Sequence, residues 1–112
     1  MILKKKKIKR LKGKAKFDEL FLSSAVFKTR LLSLRLIQND NILHLEVGIV
    51  VSKKFFTRAV DRNKIKRLLR EAIKKNEKGL SFNGYCIFIY NGSQLPVLSA
   101  LEKEIKLLIR QV

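Results

Sequence analysis

Residues 85–90, YCIFIY, constrain the fold most, because their side chains are apolar at both odd and even positions. Successive side chains of a strand point to opposite faces of a sheet, so a strand of this kind has to be covered on both faces. The segment is interrupted directly afterwards by Asn91-Gly92-Ser93. It therefore predicts a central, buried strand in a sheet against which helices pack.

Two further strands are predicted upstream from strict alternation. Within residues 30–37, Leu32, Leu34 and Leu36 point one way, and Ser33 and Arg35 point the other. In residues 42–52 the same spacing continues at Leu43, Leu45, Val47, Ile49 and Val51. The turn-like sequence at residues 39–41, NDN, lies between them, so we expect these two strands to pair as an antiparallel hairpin.

Three segments show the spacing of helices. Residues 58 to about 76 carry an apolar stripe formed by Ile65, Leu68, Leu69, Ala72 and Ile73. An earlier short helix is predicted from Phe17, Leu20 and Phe21, and a last helix with Pro96 in its first turn from Leu98, Leu101, Ile105, Leu108 and Ile109. The order of elements predicts one α+β domain over residues 1–112, a two-layer sandwich of helices against a mixed sheet.

The charge of the chain is concentrated in two blocks. There are 26 Lys and Arg against 9 Asp and Glu, for a net charge of +17. Residues 1–16 carry nine basic and no acidic side chains, and residues 53–78 carry eleven basic and three acidic ones. Focused positive charge of this kind suits a polyanion, above all a nucleic acid, with an anionic membrane surface or an acidic protein as alternatives. Self-repulsion predicts that residues 1–8 are flexible.

No apparatus for catalysis stands out in the sequence. There is no acidic cluster for a metal ion, no glycine-rich phosphate loop and no nucleophile beside a base, so we assign no catalytic and no metal-binding residue. The lone cysteine, Cys86, is expected to be a core residue. The chain has neither a signal peptide nor a run of apolar residues that would span a membrane, so we expect a cytoplasmic protein without a membrane partner.

The predicted helix at 58–76 aligns its cations. Arg62, Lys66 and Arg70 recur every fourth residue, with Asn63 and Arg67 in a second row beside them. At 1.5 Å per residue the ridge is about 12 Å long and can follow successive phosphates. We therefore expect the arginines to face solvent, opposite the apolar stripe. The alternative is an ordinary solvated helix face, although such faces usually alternate in sign.

Phe17 and Phe21 allow two interpretations. A pair of phenylalanines four residues apart is most often part of a core. If they are partly exposed beside positive charge, they form a platform on which unpaired bases stack. The spacing of the residues favours the core, and the stacking platform remains the alternative.

Residues 51–54, VSKK, followed by residues 62–71, RNKIKRLLRE, resemble the signature of the bacterial ribonuclease P protein family. The Arg-Asn-x-x-Lys-Arg-x-x-Arg-Glu pattern of that family is matched at every fixed position. Upstream, Arg10-Leu11-Lys12 followed by Phe17 and Phe21 is similar to the family's N-terminal segment. The resemblance covers most of residues 8–110.

The resemblance implies a protein subunit of a ribonucleoprotein endonuclease that removes 5′ leaders from precursor tRNAs. Its partners would be the catalytic RNA subunit and the precursor tRNA, with no obligatory protein partner, and Mg²⁺ would be held mainly by the RNA. The implied fold has a mixed four-stranded sheet with about three helices. It is the ribosomal protein S5 domain 2-like fold, with a left-handed βαβ crossover.

The resemblance also assigns roles to residues. Those implied to bind RNA are Lys53, Lys54, Arg58, Arg62, Asn63, Lys64, Lys66, Arg67 and Arg70. Those implied to line a cleft for the leader are Phe17, Phe21 and Arg35, which places the two phenylalanines outside a purely structural role. Arg35 stands where relatives often carry an aromatic residue. Phe55-Phe56 stands where many carry a glycine, which predicts a stiffer or partly buried loop.

Other classes remain open on composition alone. A ribosomal or other structural RNA-binding protein would share the size and the charge, but not the ordered pattern at 62–71. A protein-only nuclease would need metal ligands. A DNA-compacting protein would need features that form a dimer.

Overall fold

The computed structural model describes residues 7–112, with the backbone alone at positions 7 and 23. Along the chain the elements are β1 (Lys7–Arg10), α1 (Lys14–Ser23), β2 (Ala25–Lys28), β3 (Leu32–Gln38), β4 (His44–Val51), α2 (Ala59–Lys75), β5 (Gly84–Tyr90) and α3 (Leu98–Gln111), with a short 3₁₀ turn at Glu77–Gly79. The expected α+β domain with three helices and a mixed sheet is therefore confirmed. No helix of this described part combines the length and apolarity needed to cross a bilayer.

The sheet has the order β1-β4-β5-β3-β2, with β5 at its centre. β5 runs parallel to β4 and antiparallel to β3, so that Cys86 lies between Val47 on one side and Leu36 on the other. The expected hairpin of β3 with β4 is therefore wrong. Alternation predicts which face of a strand is buried but not which strand lies beside it, and β5, apolar on both faces, takes the position between the two.

The sheet has five strands rather than four, because each edge carries a short strand. β1 pairs in parallel with β4, and β2 pairs antiparallel with β3. β1 lies inside the first basic block, where charge obscures any alternation. Residues 7 and 8 of the segment expected to be flexible belong to this strand, whereas residues 1–6 lie outside the described residues.

α2 and α3 pack against one face of the sheet and form the larger core with it. The predicted stripe of α2 is confirmed, since Ile65, Leu69, Ala72 and Ile73 are buried. In α3 the buried residues are Leu101, Ile105 and Leu108, and Pro96 precedes the helix instead of lying in its first turn. Asn76 ties the two helices together, because its Nδ2 donates to the carbonyl oxygens of Ala72 (3.0 Å) and Glu102 (3.4 Å).

α1 packs against the opposite face of the sheet. Leu20 is fully buried there with Leu11 and Ile87, and Phe17 and Tyr85 pack around them. α1 is therefore held mainly by Leu20. Phe17, about one turn before it, and Phe21, the next residue, both remain at least partly accessible.

The free energy of unfolding should depend far more on Phe88 in β5 than on Phe55 in the loop before α2. Phe88 is fully buried, whereas Phe55 is 55% exposed. We expect Phe88→Ala to lower the free energy of unfolding by about 3–5 kcal/mol, because it leaves a cavity in the core. Phe55→Ala should change it by about 0.5 kcal/mol or less. Urea denaturation of both variants measures this, and equal effects would contradict the central position of β5.

Candidate nucleic-acid interface

The cationic ridge is carried by α2 on the side away from the core. Asn63, Lys64, Arg67 and Arg70 are exposed, and Lys66 is half-buried. Ile65 and Leu69, which directly precede Lys66 and Arg70 in the sequence, are fully buried. The expected exposure of Arg67 and Arg70 is thus confirmed, and in the described part of the chain neither guanidinium is paired with a carboxylate.

Arg62 behaves differently from the other two arginines. It is half-buried, and its Nη1 donates to the carbonyl oxygens of Phe56 (2.7 Å) and Thr57 (2.9 Å). The prediction that it simply faces solvent is therefore wrong in part, because the first turn of α2 lies close enough to the preceding loop for the side chain to fold back. A guanidinium has five N–H donors, so others remain for a ligand.

The loop before α2 is anchored by Phe56. This ring is buried against Tyr90, with 6.0 Å between the ring centroids. The Phe56 N–H donates to the Ser52 carbonyl oxygen (3.1 Å), and the Lys54 N–H donates to the Ser52 Oγ (3.1 Å). The expectation of a partly buried loop is confirmed.

The same anchoring positions the loop cations. Lys53, Lys54 and Arg58 are all exposed, and Arg58 is the N-cap residue directly before α2. Loop and helix therefore present their positive charges next to each other.

The residues expected in the cleft lie on the other face of the sheet and are brought together there. The Arg35 guanidinium carbon lies 5.3 Å from the centre of the Phe21 ring, and Arg35 Nη1 donates to the Phe21 carbonyl oxygen (3.2 Å). Phe21 is 44% exposed, whereas Phe17 is half-buried. Arg35 thus stands beside the ring of Phe21 and forms a cation–π contact with it.

Phe17 lies against the sheet at Gly48. A Cβ atom added to Gly48 would come within 2.9 Å of Phe17 Cζ, so this position has to be a glycine for the ring to pack as it does. Of the two interpretations of the phenylalanines, Phe17 fits both in part, because it packs on the sheet and still has an accessible edge. Phe21 is a surface ring.

A cluster around Glu46 was missed by the sequence analysis. Lys16 Nζ lies 3.0 Å from Glu46 Oε1, and His44 Nε2 lies 3.0 Å from Glu46 Oε2. Lys16 Nζ also lies 4.6 Å from the centre of the Tyr85 ring. Alternation placed His44 and Glu46 on one face of β4, but Lys16 is thirty residues away in the sequence. Only the packing of α1 on the sheet reveals the pair.

The Glu46 carboxylate fixes these neighbours. Burial alone would raise its pKa, but the hydrogen bonds from His44 and Lys16, together with electrostatic attraction to Lys16, hold the pKa of Glu46 below its ordinary value. The same hydrogen bond raises the pKa of Lys16. Both groups are therefore charged at neutral pH, and Lys16 is held beside the aromatic surface next to Phe17.

Comparison with known proteins agrees with this geometry. A family model described as Ribonuclease P matches residues 5–112. The chain is 34% identical over 101 residues to the ribonuclease P protein component of Lactococcus lactis subsp. lactis, covering 90% of this chain and 85% of that protein.

The fold of this chain is similar to that of the Staphylococcus aureus RNase P protein, with a TM-score of 0.77 and 27% identity. The similarity covers 91% of this chain and 93% of the other. The fold is also similar to that of the RNase P protein from Thermotoga maritima, with a TM-score of 0.80, 20% identity and coverage of 93% and 97%. The last likeness concerns the fold alone. Because the family model spans almost the whole chain and the Lactococcus relative covers nine tenths of it, this chain belongs to the family of ribonuclease P protein components.

Proposed function

We propose that this chain binds the catalytic RNA of ribonuclease P and the 5′ leader of precursor tRNA, and so promotes Mg²⁺-dependent endonucleolytic removal of the leader. The product is a tRNA with a mature 5′ end, made in the cytoplasm. The observation that carries the proposal is the exposed ridge of α2, whose Arg67 and Arg70 have no carboxylate partner among residues 7–112, in a chain of this family.

The ridge supplies contacts to the catalytic RNA. Phosphates repeat along an RNA strand, and arginine forks bind two phosphate oxygens at once. Because the buried stripe fixes the rotation of α2 about its axis, the ridge is presented as a rigid row. The cations of the adjoining loop extend this row, so that the full set is Lys53, Lys54, Arg58, Arg62, Asn63, Lys64, Lys66, Arg67 and Arg70.

The opposite face supplies contacts to the leader. A leader is single-stranded, and unpaired bases stack on aromatic rings and on guanidinium planes. Phe21 and Arg35 offer one surface of each kind in contact with each other. Phe17 adds the accessible part of its ring as a third surface for stacking.

The chemical step is assigned to the RNA. Among residues 7–112, no three His, Cys, Asp or Glu side chains come together as a metal-ion site would require. Mg²⁺ held mainly by the catalytic RNA would activate the water that attacks the phosphodiester bond. The side chains of this protein bind and orient the two RNAs.

Reconstitution tests the proposal directly. The purified, RNA-free protein should leave precursor tRNA intact, and addition of the cognate catalytic RNA with Mg²⁺ should restore cutting at the leader boundary. The readout is the length and the 5′-phosphate of the product on a gel. Cleavage by rigorously RNA-free protein would refute the division of labour, and no stimulation of the RNA at physiological Mg²⁺ would refute the proposed function.

Arg67→Ala should weaken binding to the catalytic RNA by about tenfold, on the scale of one charged hydrogen bond. It should also flatten the salt dependence of binding by about one ion, because one phosphate contact is lost. Affinities measured over a series of salt concentrations give both values. Arg110→Ala, an exposed arginine of α3, is the matched control and should change neither.

Phe21→Ala should lower the affinity of the assembled enzyme for precursor tRNA by about tenfold, the scale of one stacked base, and leave the affinity for mature tRNA unchanged. Leu22→Ala, the neighbouring side chain that is 85% exposed, is the control. Thermal melts establish that both variants fold. Phe17→Ala is a less direct test because the ring also packs on the sheet. If Phe21→Ala left the ratio of precursor to mature tRNA affinity unchanged, the proposal that the leader binds this face would be wrong.

A further inference from the structure

β1 covers only the first half of β4. Its register ends where Arg10 lies opposite Val47, and the Leu11 N–H donates to the Val47 carbonyl oxygen (2.9 Å). β4 continues to Val51. A cavity of about 660 Å³ opens at the sheet edge where β1 ends, and we call it the edge notch.

The edge notch has an apolar floor and a cationic rim. Its apolar lining includes Leu11, Phe17 and Ile49. Five Lys and Arg side chains line it against a single carboxylate, that of Glu77. Its volume lies in the range of about 300–1,000 Å³ that is typical of sites for small organic ligands. A planar apolar group with an attached anion suits such a lining.

The cations of the rim come from both basic blocks of the sequence. Arg10 belongs to the first block, and Lys66 and Arg70 belong to α2. Arg10 is exposed, and no ion pair within residues 7–112 involves it. We call the side of the sheet that carries Phe17, Phe21 and Arg35 the aromatic face. The first block thus has a place in the fold that neither the ridge nor the aromatic face accounts for.

The backbone of β4 adds polar groups to the floor. Since the Val47 carbonyl points towards β1, alternation along the strand directs the N–H and C=O of Ile49 to the same edge, beyond the last β1 partner. An exposed strand edge offers both a donor and an acceptor. The edge of a nucleobase requires the same pair of groups.

We propose that the edge notch binds one unpaired ribonucleotide, an inference that rests on the proposed function. The base lies against the edge of β4, between Phe17 on the face that α1 covers and Ile49 on the face that α2 covers, and the adjoining phosphates lie on Arg10, Lys66 and Arg70. Because Phe17 belongs to the aromatic face and Lys66 to the ridge, the nucleotide connects the two surfaces. RNA then follows one path around the edge of the sheet.

The same chemistry is available from the leader and from the catalytic RNA, and the experiment separates them. The variant is Arg10→Ala, and the matched control is Arg110→Ala. The control arginine precedes Gln111, whose Nε2 donates to the Lys28 carbonyl oxygen (2.9 Å) in β2, at the other edge of the sheet. Both variants remove one exposed arginine, and thermal melts establish that both are folded.

Two binding measurements identify the source of the nucleotide. The first is the affinity of each protein for the catalytic RNA alone over a series of salt concentrations. The second is the affinity of each assembled enzyme for precursors whose leaders are shortened one nucleotide at a time. We expect Arg10→Ala to lose about tenfold in one measurement, with a salt dependence flatter by about one ion, and Arg110→Ala to lose nothing. A loss in the first assigns the nucleotide to the catalytic RNA. A loss in the second that disappears below one leader length assigns it to the leader.

Crosslinking then tests whether a base enters the notch. A single 4-thiouridine is placed along the identified RNA, and the crosslinked peptide is sequenced. We expect crosslinks within residues 8–11 or 47–49, reduced about tenfold by Arg10→Ala. Equal affinities for the two variants, or crosslinks confined to other residues, would overturn the notch while wild-type leader cleavage still supports the proposed function. If wild-type protein fails to stimulate cleavage, crosslinking of the free protein to a short 4-thiouridine oligoribonucleotide still determines whether a base binds in the edge notch.

Discussion

The burial of β5 on both faces is the constraint on which the rest of the structure depends. Phe88 faces the core formed with α2 and α3, and Ile87, one residue before it, faces α1. A strand with this pattern cannot lie at an edge or border solvent on one side. It therefore brings a helical layer to each face and a strand to each side, and it fixes the distance between the cationic helix and the aromatic face.

Within residues 7–112, carboxylates serve as internal anchors and leave most cations of the ridge unpaired. Glu46 binds Lys16, and Glu102 lies 3.2 Å from Lys75. Glu104 Oε1 accepts a hydrogen bond from the Leu31 N–H (2.6 Å), which joins α3 to the start of β3. These acids thus act where elements meet. Exposed ion pairs contribute about 0–1 kcal/mol each, so their main effect is on which cations stay free for a polyanion.

Prediction from sequence succeeded where a single element carries the signal. The stripe of α2, the exposure of Arg67 and Arg70, and the buried character of β5 all follow from periodicity within one segment. It failed where the signal lies between segments. The pairing of β3 with β5, the hydrogen bonds of Arg62 to the loop, and the Lys16–Glu46 pair depend on which elements lie side by side. The short strand β1 was missed because basic residues are common both in solvated segments without secondary structure and in edge strands, so they do not distinguish the two.

The anchored loop before α2 has a consequence for the entropy of binding. Phe56 packs on Tyr90, and Arg62 donates to two carbonyl oxygens of the loop, so the backbone that carries Lys53, Lys54 and Arg58 is ordered before any ligand arrives. Immobilising a flexible side chain or loop on association costs about 0.5–1.5 kcal/mol per rotamer-rich group. Here much of the cost of ordering the backbone falls on the folding of the protein. A complex formed by this surface should therefore show a smaller unfavourable conformational entropy than one formed by a loop that orders only when it binds.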